Sequence, residues 1–199
     1  MSKVCQTAYL EIRRILSIRK CLTTEATKPP VSSLVTSRLD YCNSLFAGVP
    51  QKHVAKLQRA MNCAACLVCR ASKCEPISPL LADLHWLPVS HRIKYKIVTV
   101  CYNVILGSVP PYLADILQLS LRSLCSPTDS RTFRIPIKCK KFQGRPTFSY
   151  TGFVIWNNLP FSDHHAQILS RFKSQLIFKH NSYSSVQIPV LHCACVYTI

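Results

Sequence analysis

Acidic residues are scarce in this chain of 199 residues. Eight Asp and Glu stand against 25 Lys and Arg, which leaves a formal net charge of +17. Two-metal nucleotidyl transfer needs carboxylates that converge on a pair of metal ions. The two acids closest in sequence, Glu75 and Asp83, are eight positions apart, so no adjacent pair exists. The excess of cations instead predicts either an acidic surface as the partner or a polyanion such as RNA or DNA, bound without sequence specificity.

Long apolar runs are also missing. The longest, Ile97 to Leu106, is interrupted by Thr99 and Asn103, and it is well short of the roughly 20 residues that a bilayer requires. The first residues show no apolar stretch ahead of a cleavage site. The sequence therefore predicts no membrane partner and an intracellular location, cytoplasmic or nuclear, in which the twelve cysteines are reduced.

Apolar residues recur at helical spacing along most of the chain, and they are numerous enough to bury a core. We predict a mainly α fold, a small helical bundle with an extended basic segment or loose hairpin near residues 131–145, where apolar and polar residues alternate. The predicted helices cover Ser2 to Lys20, Val31 to Phe46, Gln51 to Arg70, Ser78 to Leu84, Val89 to Leu106, Tyr112 to Leu119, Phe148 to Asn158 and His165 to Lys179.

Three regions are expected along the chain. Residues 1–120 form a helical region, residues 121–180 contain the basic extended segment and the C-terminal helices, and residues 181–199 form a disordered tail. Within the first region, the Pro29-Pro30 pair predicts that the second helix does not begin much before Pro30, because proline lacks the donor that an interior position needs.

The first and third predicted helices each have a basic side. In the first, Val4, Ala8, Ile12 and Ile15 share one side, opposite Lys3, Arg13 and Arg14. In the third, Val54, Leu57, Met61, Ala65 and Val68 share one side, opposite Lys52, Lys56, Arg59 and Arg70. Cys63 and Cys66 are predicted to project with this basic side. One side of each helix therefore belongs to the core and the other faces solvent.

Four phrases in the sequence carry a family resemblance. They are Ser37-Arg38-Leu39-Asp40-Tyr41-Cys42-Asn43-Ser44-Leu45, Asp83-Leu84-His85-Trp86-Leu87-Pro88-Val89, Pro110-Pro111-Tyr112-Leu113 and Trp156-Asn157-Asn158-Leu159-Pro160. In this order and at these separations they resemble the region C-terminal to the polymerase core in reverse transcriptases of jockey-like LINE (non-LTR) retrotransposons. The resemblance covers about Lys3 to about His180.

The resemblance implies a nucleic-acid partner. The region looks like the thumb helices and the following C-terminal segment, which hold the template-primer hybrid and the element RNA. In the family the adjacent Asp pair and the endonuclease lie upstream of the matched region. We therefore expect a catalytically silent fragment and not an enzyme, with no catalytic residue, metal or cofactor. Asp40 is expected to form a structural pair with Arg38 or a helix contact. Trp86 and Leu87 are expected to supply buried area.

The candidate nucleic-acid-binding residues fall in two groups. Six cations occur within fifteen residues, with no acid among them: Arg131, Arg134, Lys138, Lys140, Lys141 and Arg145. The second group lies on the third predicted helix, at Lys52, Lys56 and Arg59, and Arg13 and Arg14 would extend its surface. Phe133 and Phe142 lie among the first group, where burial in a core is the preferred interpretation and stacking on unpaired bases the alternative.

The cysteines allow a further interpretation. Cys63, Cys66, Cys69 and Cys74 superficially resemble a ligand run for zinc or an iron-sulfur cluster. Thiolates at i and i+3 of a helix can share an ion, but a third one turn further along a straight helix cannot join them. We therefore predict reduced cysteines without metal. Two alternatives to the silent fragment stay open, a translated retrotransposon relic with no activity and a Cys-rich metal-binding interaction module.

Overall fold

A computed structural model describes residues 2–72, 75–112 and 148–159, and these residues are mainly helical, with no strand among them. The prediction of a mainly α fold is confirmed. The α-helices are α1 Ser2–Ile18, α2 Thr24–Val31, α3 Ser37–Asp40, α4 Gln51–Cys69, α5 Ile77–Asp83, α6 Val89–Ile105 and α7 Phe148–Asn157. Short 3-10 helices cover Arg19–Cys21 and Asn43–Phe46, and a π-helical turn covers Ser32–Thr36. No helix in this part of the chain is both long and apolar enough to cross a bilayer.

Several predictions fall outside the described residues. They concern most of the helix over residues 112–119, the basic segment near residues 131–145, the helix over residues 165–179 and the tail over residues 181–199. The division at residue 120 lies there too. All of these stay predictions.

The described residues divide into two compact units. Unit 1 contains residues 2–43, 50–72 and 75–92, and unit 2 contains residues 44–49, 93–112 and 148–159. The first four residues of α6 belong to unit 1 and the remainder of this helix belongs to unit 2.

Helix α4 is the centre of unit 1, where α1, α2, α5 and the π-helical turn all pack against it. Every residue of its predicted apolar side is buried, and the largest of them, Leu57 and Met61, are fully so. Ile12 from α1 and Leu39 from α3 complete the same core. Each such side chain contributes about 1.5–3 kcal/mol to folding when it leaves water.

The buried side of α4 is wider than the sequence predicted. Cys63 was expected beside the cations, yet it is only 2% exposed, and Cys66 is half-buried. The prediction for Cys63 is therefore wrong. The reason is that α1, α2, α5 and the π-helical turn all pack against α4, so residues beyond its predicted apolar side, such as Ala60 and Ala64, are buried too.

The second helix begins earlier and ends earlier than predicted. Helical structure starts at Thr24, continues through Pro29 and Pro30, and ends at Asp40. Proline at these positions removes the donors that would bond the carbonyls of Glu25 and Ala26. Both of those residues are exposed, so water can bond their carbonyls. The two prolines therefore do not prevent an earlier helix start, and our prediction was wrong.

Unit 2 is built from α6 and α7. Ile97 and Tyr102 of α6, and Phe153 and Trp156 of α7, are all essentially buried. The rings of Tyr102 and Trp156 lie 6.5 Å apart between centroids and are tilted by 43°, an arrangement that aromatic pairs favour. Val100, predicted to point inward, is half-buried. Gly107 (φ 69°) follows the end of α6 as predicted, in the left-handed conformation typical of a helix cap.

Candidate nucleic-acid interface

Three cations form one exposed row on α4. Lys52, Lys56 and Arg59 are all exposed, and their spacing of four and three residues places them on one side of the helix. With a rise of 1.5 Å per residue the row is about 10 Å long. It begins in the first turn of α4, where the helix dipole adds positive potential. We call these three residues the α4 cation row.

The N-terminal part of α1 lies beside this row. Burial raises the pKa of the Cys5 thiol, and the charges of Lys56 and Arg59 act in the opposite direction. At the far end of the two helices, Arg19 contacts the carbonyls of Leu67 and Val68. Helices α1 and α4 therefore run in the same direction, side by side.

The described carboxylates do not neutralise the α4 cation row. Among the described residues, no Asp or Glu lies within ion-pair distance of Lys52, Lys56 or Arg59. Three acids of unit 1 are paired elsewhere, in the contacts Glu11–Arg14 at 3.1 Å, Glu25–Lys28 at 2.8 Å and Asp40–Arg92 at 2.5 Å. The described part of unit 1 has twelve Lys and Arg against five Asp and Glu, a net charge of +7.

Of the other candidate cations, Arg13 and Arg14 belong to the described residues and the six of residues 131–145 do not. Arg13 and Arg14 are exposed on α1 as predicted, and Arg14 is paired with Glu11. The first group, Arg131, Arg134, Lys138, Lys140, Lys141 and Arg145, lies outside the described residues, as do Phe133 and Phe142. Of the predicted cations, the structure therefore brings together the α4 cation row.

Two further arginines in unit 1 stabilise the fold. Arg19 is 5% exposed, and it donates from Nε to the Leu67 carbonyl and from Nη2 to the Val68 carbonyl, both at 2.8 Å. These carbonyls belong to the last turn of α4, where backbone acceptors lack helical partners. Arg70 follows α4 in the left-handed conformation and donates to the Leu22 carbonyl at 2.9 Å. A buried guanidinium thus caps α4, a role that no local sequence pattern indicated.

Asp40 forms the structural pair that was predicted for it, but with a different partner. Its Oδ2 accepts from Nη1 of Arg92, and its Oδ1 accepts from Nδ2 of Asn43 at 3.1 Å. Arg38, the predicted partner, is exposed. Arg92 follows Asp40 by 52 residues, so only the fold brings the two together. This contact gives Asp40 a structural role.

The segment around Trp86 is less buried than expected. Trp86 and Leu87 are both half-buried, so the predicted contribution to the core is only partly realised. Hydrogen bonds between its backbone and two side chains hold the segment instead. The Leu87 carbonyl accepts from Nε of Arg92 at 2.7 Å, and the Val89 N–H donates to Oε1 of Gln58 at 2.8 Å. Gln58 thereby fixes the start of α6 against α4.

The three cysteines of α4 differ in their burial. Cys63 is buried, while Cys66 and Cys69 are half-buried. In the part of the chain that the structure describes, no three His, Cys, Asp or Glu side chains come together as a metal site would require. Cys74 lies outside that part.

Comparisons of the chain with models of known protein families, with curated proteins and with solved structures each found no match.

Proposed function

We propose that this chain binds the phosphate backbone of RNA or DNA without sequence preference, as a catalytically silent piece of a LINE-type reverse transcriptase. The observation that carries the proposal is the α4 cation row, which is exposed, lies along one helix side and has no neighbouring carboxylate among the described residues. Cations placed in this way bind phosphates and displace condensed counterions. Contacts to phosphates carry no sequence information, so binding of this kind has no sequence preference.

The sequence phrases support an origin in a retrotransposon. The activity of the parent protein would be RNA-directed DNA polymerisation. No adjacent pair of acids occurs in the sequence. Asp40, the carboxylate in the best-matched phrase, is bonded to Arg92 and Asn43. We therefore expect no incorporation of nucleotides on a primed template with Mg²⁺ or Mn²⁺, and incorporation by the purified chain would contradict this part of the proposal.

Salt dependence tests the binding directly. We would measure the affinity of the whole chain for a labelled 20-base-pair duplex over a range of salt concentrations. Each phosphate contact contributes about 0.9 to the slope of log affinity against log salt. If all six cations of residues 131–145 bind phosphates, the slope is about 5, and the α4 cation row adds about 3. A slope near 1, or no binding in dilute buffer, would refute the proposal.

A matched pair of variants separates the row from net charge. The triple variant Lys52→Gln, Lys56→Gln, Arg59→Gln should lower the slope by about 3. The control Lys20→Gln, Lys28→Gln, Lys94→Gln removes the same charge from other surfaces and should change the slope by less than about 1. Equal slopes for the two triple variants would show that net charge alone attracts the nucleic acid and that the row is not a binding surface.

A further inference from the structure

The turn after α3 presents a tyrosine to solvent. Helix α3 ends at Asp40 and is followed by Tyr41, whose backbone is extended (φ −63°, ψ 122°). Its side chain is 78% exposed, more than any other large hydrophobic residue in the described part of the chain. Single exposed aromatics are common on protein surfaces, so exposure alone carries no conclusion. The residues around Tyr41 supply the further observations.

The residues on both sides of Tyr41 are held firmly. Asn43 is fully buried, and its Nδ2 donates to Oδ1 of Asp40, which closes the turn. The other oxygen of Asp40 accepts from Arg92. Between these anchors Cys42 takes the left-handed conformation (φ 51°). The ring of Tyr41 therefore extends into solvent from a fixed backbone, so less conformational freedom is lost when a ligand binds it.

An exposed cation, Arg38, lies close to Tyr41 in sequence. Arg38 is exposed and lies three residues before Tyr41, about one helical turn away. Asp40, the nearest acid in sequence, has one oxygen bonded to Asn43 and the other to Arg92. No carboxylate of the described residues lies within ion-pair distance of Arg38. As far as the described residues go, the guanidinium is therefore available to an anion.

We propose that Tyr41 and Arg38 form a stacking site for one unpaired base of RNA or DNA, with the base on the phenol ring and the adjoining phosphate on the guanidinium. Proteins that bind single strands combine these two elements, since every base has an aromatic face and every nucleotide a charge. In a duplex the faces of internal bases are already covered, so the site favours unpaired nucleotides. The inference rests on the proposed function and adds a preference that the α4 cation row does not supply.

The test compares one single strand with one duplex. We would titrate the whole chain with a labelled 12-nucleotide oligouridine and with a labelled 12-base-pair RNA duplex at the same salt concentration. Stacking contributes about 1–3 kcal/mol per base, so Tyr41→Ala should weaken single-strand binding about 5- to 150-fold. It should leave duplex binding within about twofold. Tyr41→Phe keeps the ring and should keep the affinity, and Arg38→Gln should lower the single-strand salt slope by about 0.7.

Tyr112→Ala is the matched control, because Tyr112 is also exposed, at 64%, but follows Pro110-Pro111 and has no neighbouring arginine in sequence. It should change neither affinity. Because Tyr41 is exposed, Tyr41→Ala should keep the far-UV circular dichroism of the parent.

The outcomes separate the inference from the proposed function. If the parent binds both probes and Tyr41→Ala leaves single-strand affinity unchanged, as it would if the turn instead contacts a protein, the stacking site is wrong and backbone binding stands. An equal loss on the single strand and on the duplex also overturns the stacking site. If the parent binds neither probe, the proposed function fails and the stacking site fails with it.

Discussion

Arg92 joins Asp40 at the end of α3 to the Leu87 carbonyl ahead of α6. Its Nη1 lies 2.5 Å from Oδ2 of Asp40, and its Nε lies 2.7 Å from the Leu87 oxygen. One guanidinium thus joins the segment around Asp40 to the segment around Leu87. Both segments therefore have an architectural role in unit 1.

Breaking this contact should destabilise unit 1. The side chains of Arg92 and Asp40 are only 15% and 27% exposed, so solvent screens the pair incompletely. Arg92→Met leaves the Asp40 carboxylate and the Leu87 carbonyl without this donor, and we expect the free energy of unfolding to fall by about 2 kcal/mol. Urea denaturation followed by circular dichroism measures the change.

Two further variants show whether the loss comes from the pair. Asp40→Asn together with Arg92→Met should cost less than the sum of the single changes, by about 0.5 kcal/mol or more, because the residues are in contact. Arg38→Met, which removes the exposed arginine beside Asp40, should change the stability by less than about 0.5 kcal/mol. Additive single changes would contradict a direct Asp40–Arg92 interaction.

Among Arg13, Arg14 and Arg19, Arg19 should be the arginine whose loss costs most stability. Arg19→Met removes the donors to Leu67 and Val68 and leaves the last turn of α4 without this cap. A hydrogen bond from a charged group contributes about 1.5–3 kcal/mol, so we expect a loss of about 2–4 kcal/mol. Lys20→Met changes the adjacent, exposed cation, and it should have almost no effect. Similar losses for both variants in urea denaturation would show that Arg19 acts only through net charge.

The periodicity of apolar residues was sufficient to predict most described helices. Helix α4 begins at the predicted residue and ends one residue early, and α5 and α6 also agree to within one residue at each end. Such long amphipathic patterns are strong because they report burial over several turns. The pattern cannot say how many neighbours a helix has, and this is why Cys63 was placed on the wrong side of α4.

Two local start signals in the sequence would have corrected the predicted start of the second helix. Thr23 Oγ1 accepts from the Ala26 N–H at 3.1 Å, and Glu25 occupies the first turn, where the dipole favours an acid. Both are start signals, and they outweighed the two prolines that we used to exclude an earlier start. The contact of Arg19 with Val68 and the contact of Arg92 with Asp40 could not be predicted at all, because each joins residues about 50 positions apart.

The candidate site was predictable in part, from the same helical periodicity that predicted α4. A wheel of α4 places Lys52, Lys56 and Arg59 opposite the core, and the structure exposes all three. Tyr41 was missed as a candidate, because its exposure depends on the turn that Asn43 closes onto Asp40. A tyrosine within an Asp-Tyr-Cys-Asn phrase carries no signal of exposure by itself.

Replacing Pro29 should stabilise the chain. Pro29 is exposed and lies inside α2, where it withholds a donor from the Glu25 carbonyl. Pro29→Ala restores this hydrogen bond without a change in packing, against an entropic cost of about 0.4–1 kcal/mol from a more flexible unfolded chain. We expect a net gain of about 1–2 kcal/mol in thermal or urea unfolding. The control Pro50→Ala changes the N-cap of α4, where a restored N–H would have no carbonyl of the helix to bond, and it should give no gain. A loss of stability for Pro29→Ala would show that the prolines hold α2 in place.

Cys101 should make stability fall at high pH. Burial raises the pKa of its thiol to about 12, against an ordinary value of 9.0. The folded chain therefore keeps this proton while the unfolded chain releases it, so the contribution of the neutral thiol is complete below pH 9 and is lost as the pH rises toward 12.

Urea denaturation at several pH values measures this loss, and Cys101→Ala should reduce it. Some pH dependence should persist, because burial also raises the pKa values of Tyr95 and Cys5. Alkylation with iodoacetamide at pH 8, read by mass spectrometry, provides a second measurement. The exposed Cys21 and Cys42 should react in the folded chain, whereas Cys101 should react only on unfolding, since the thiolate is the reactive form. Alkylation of Cys101 as fast as that of Cys42 would mean that α6 and α7 do not shield the thiol as the structure shows.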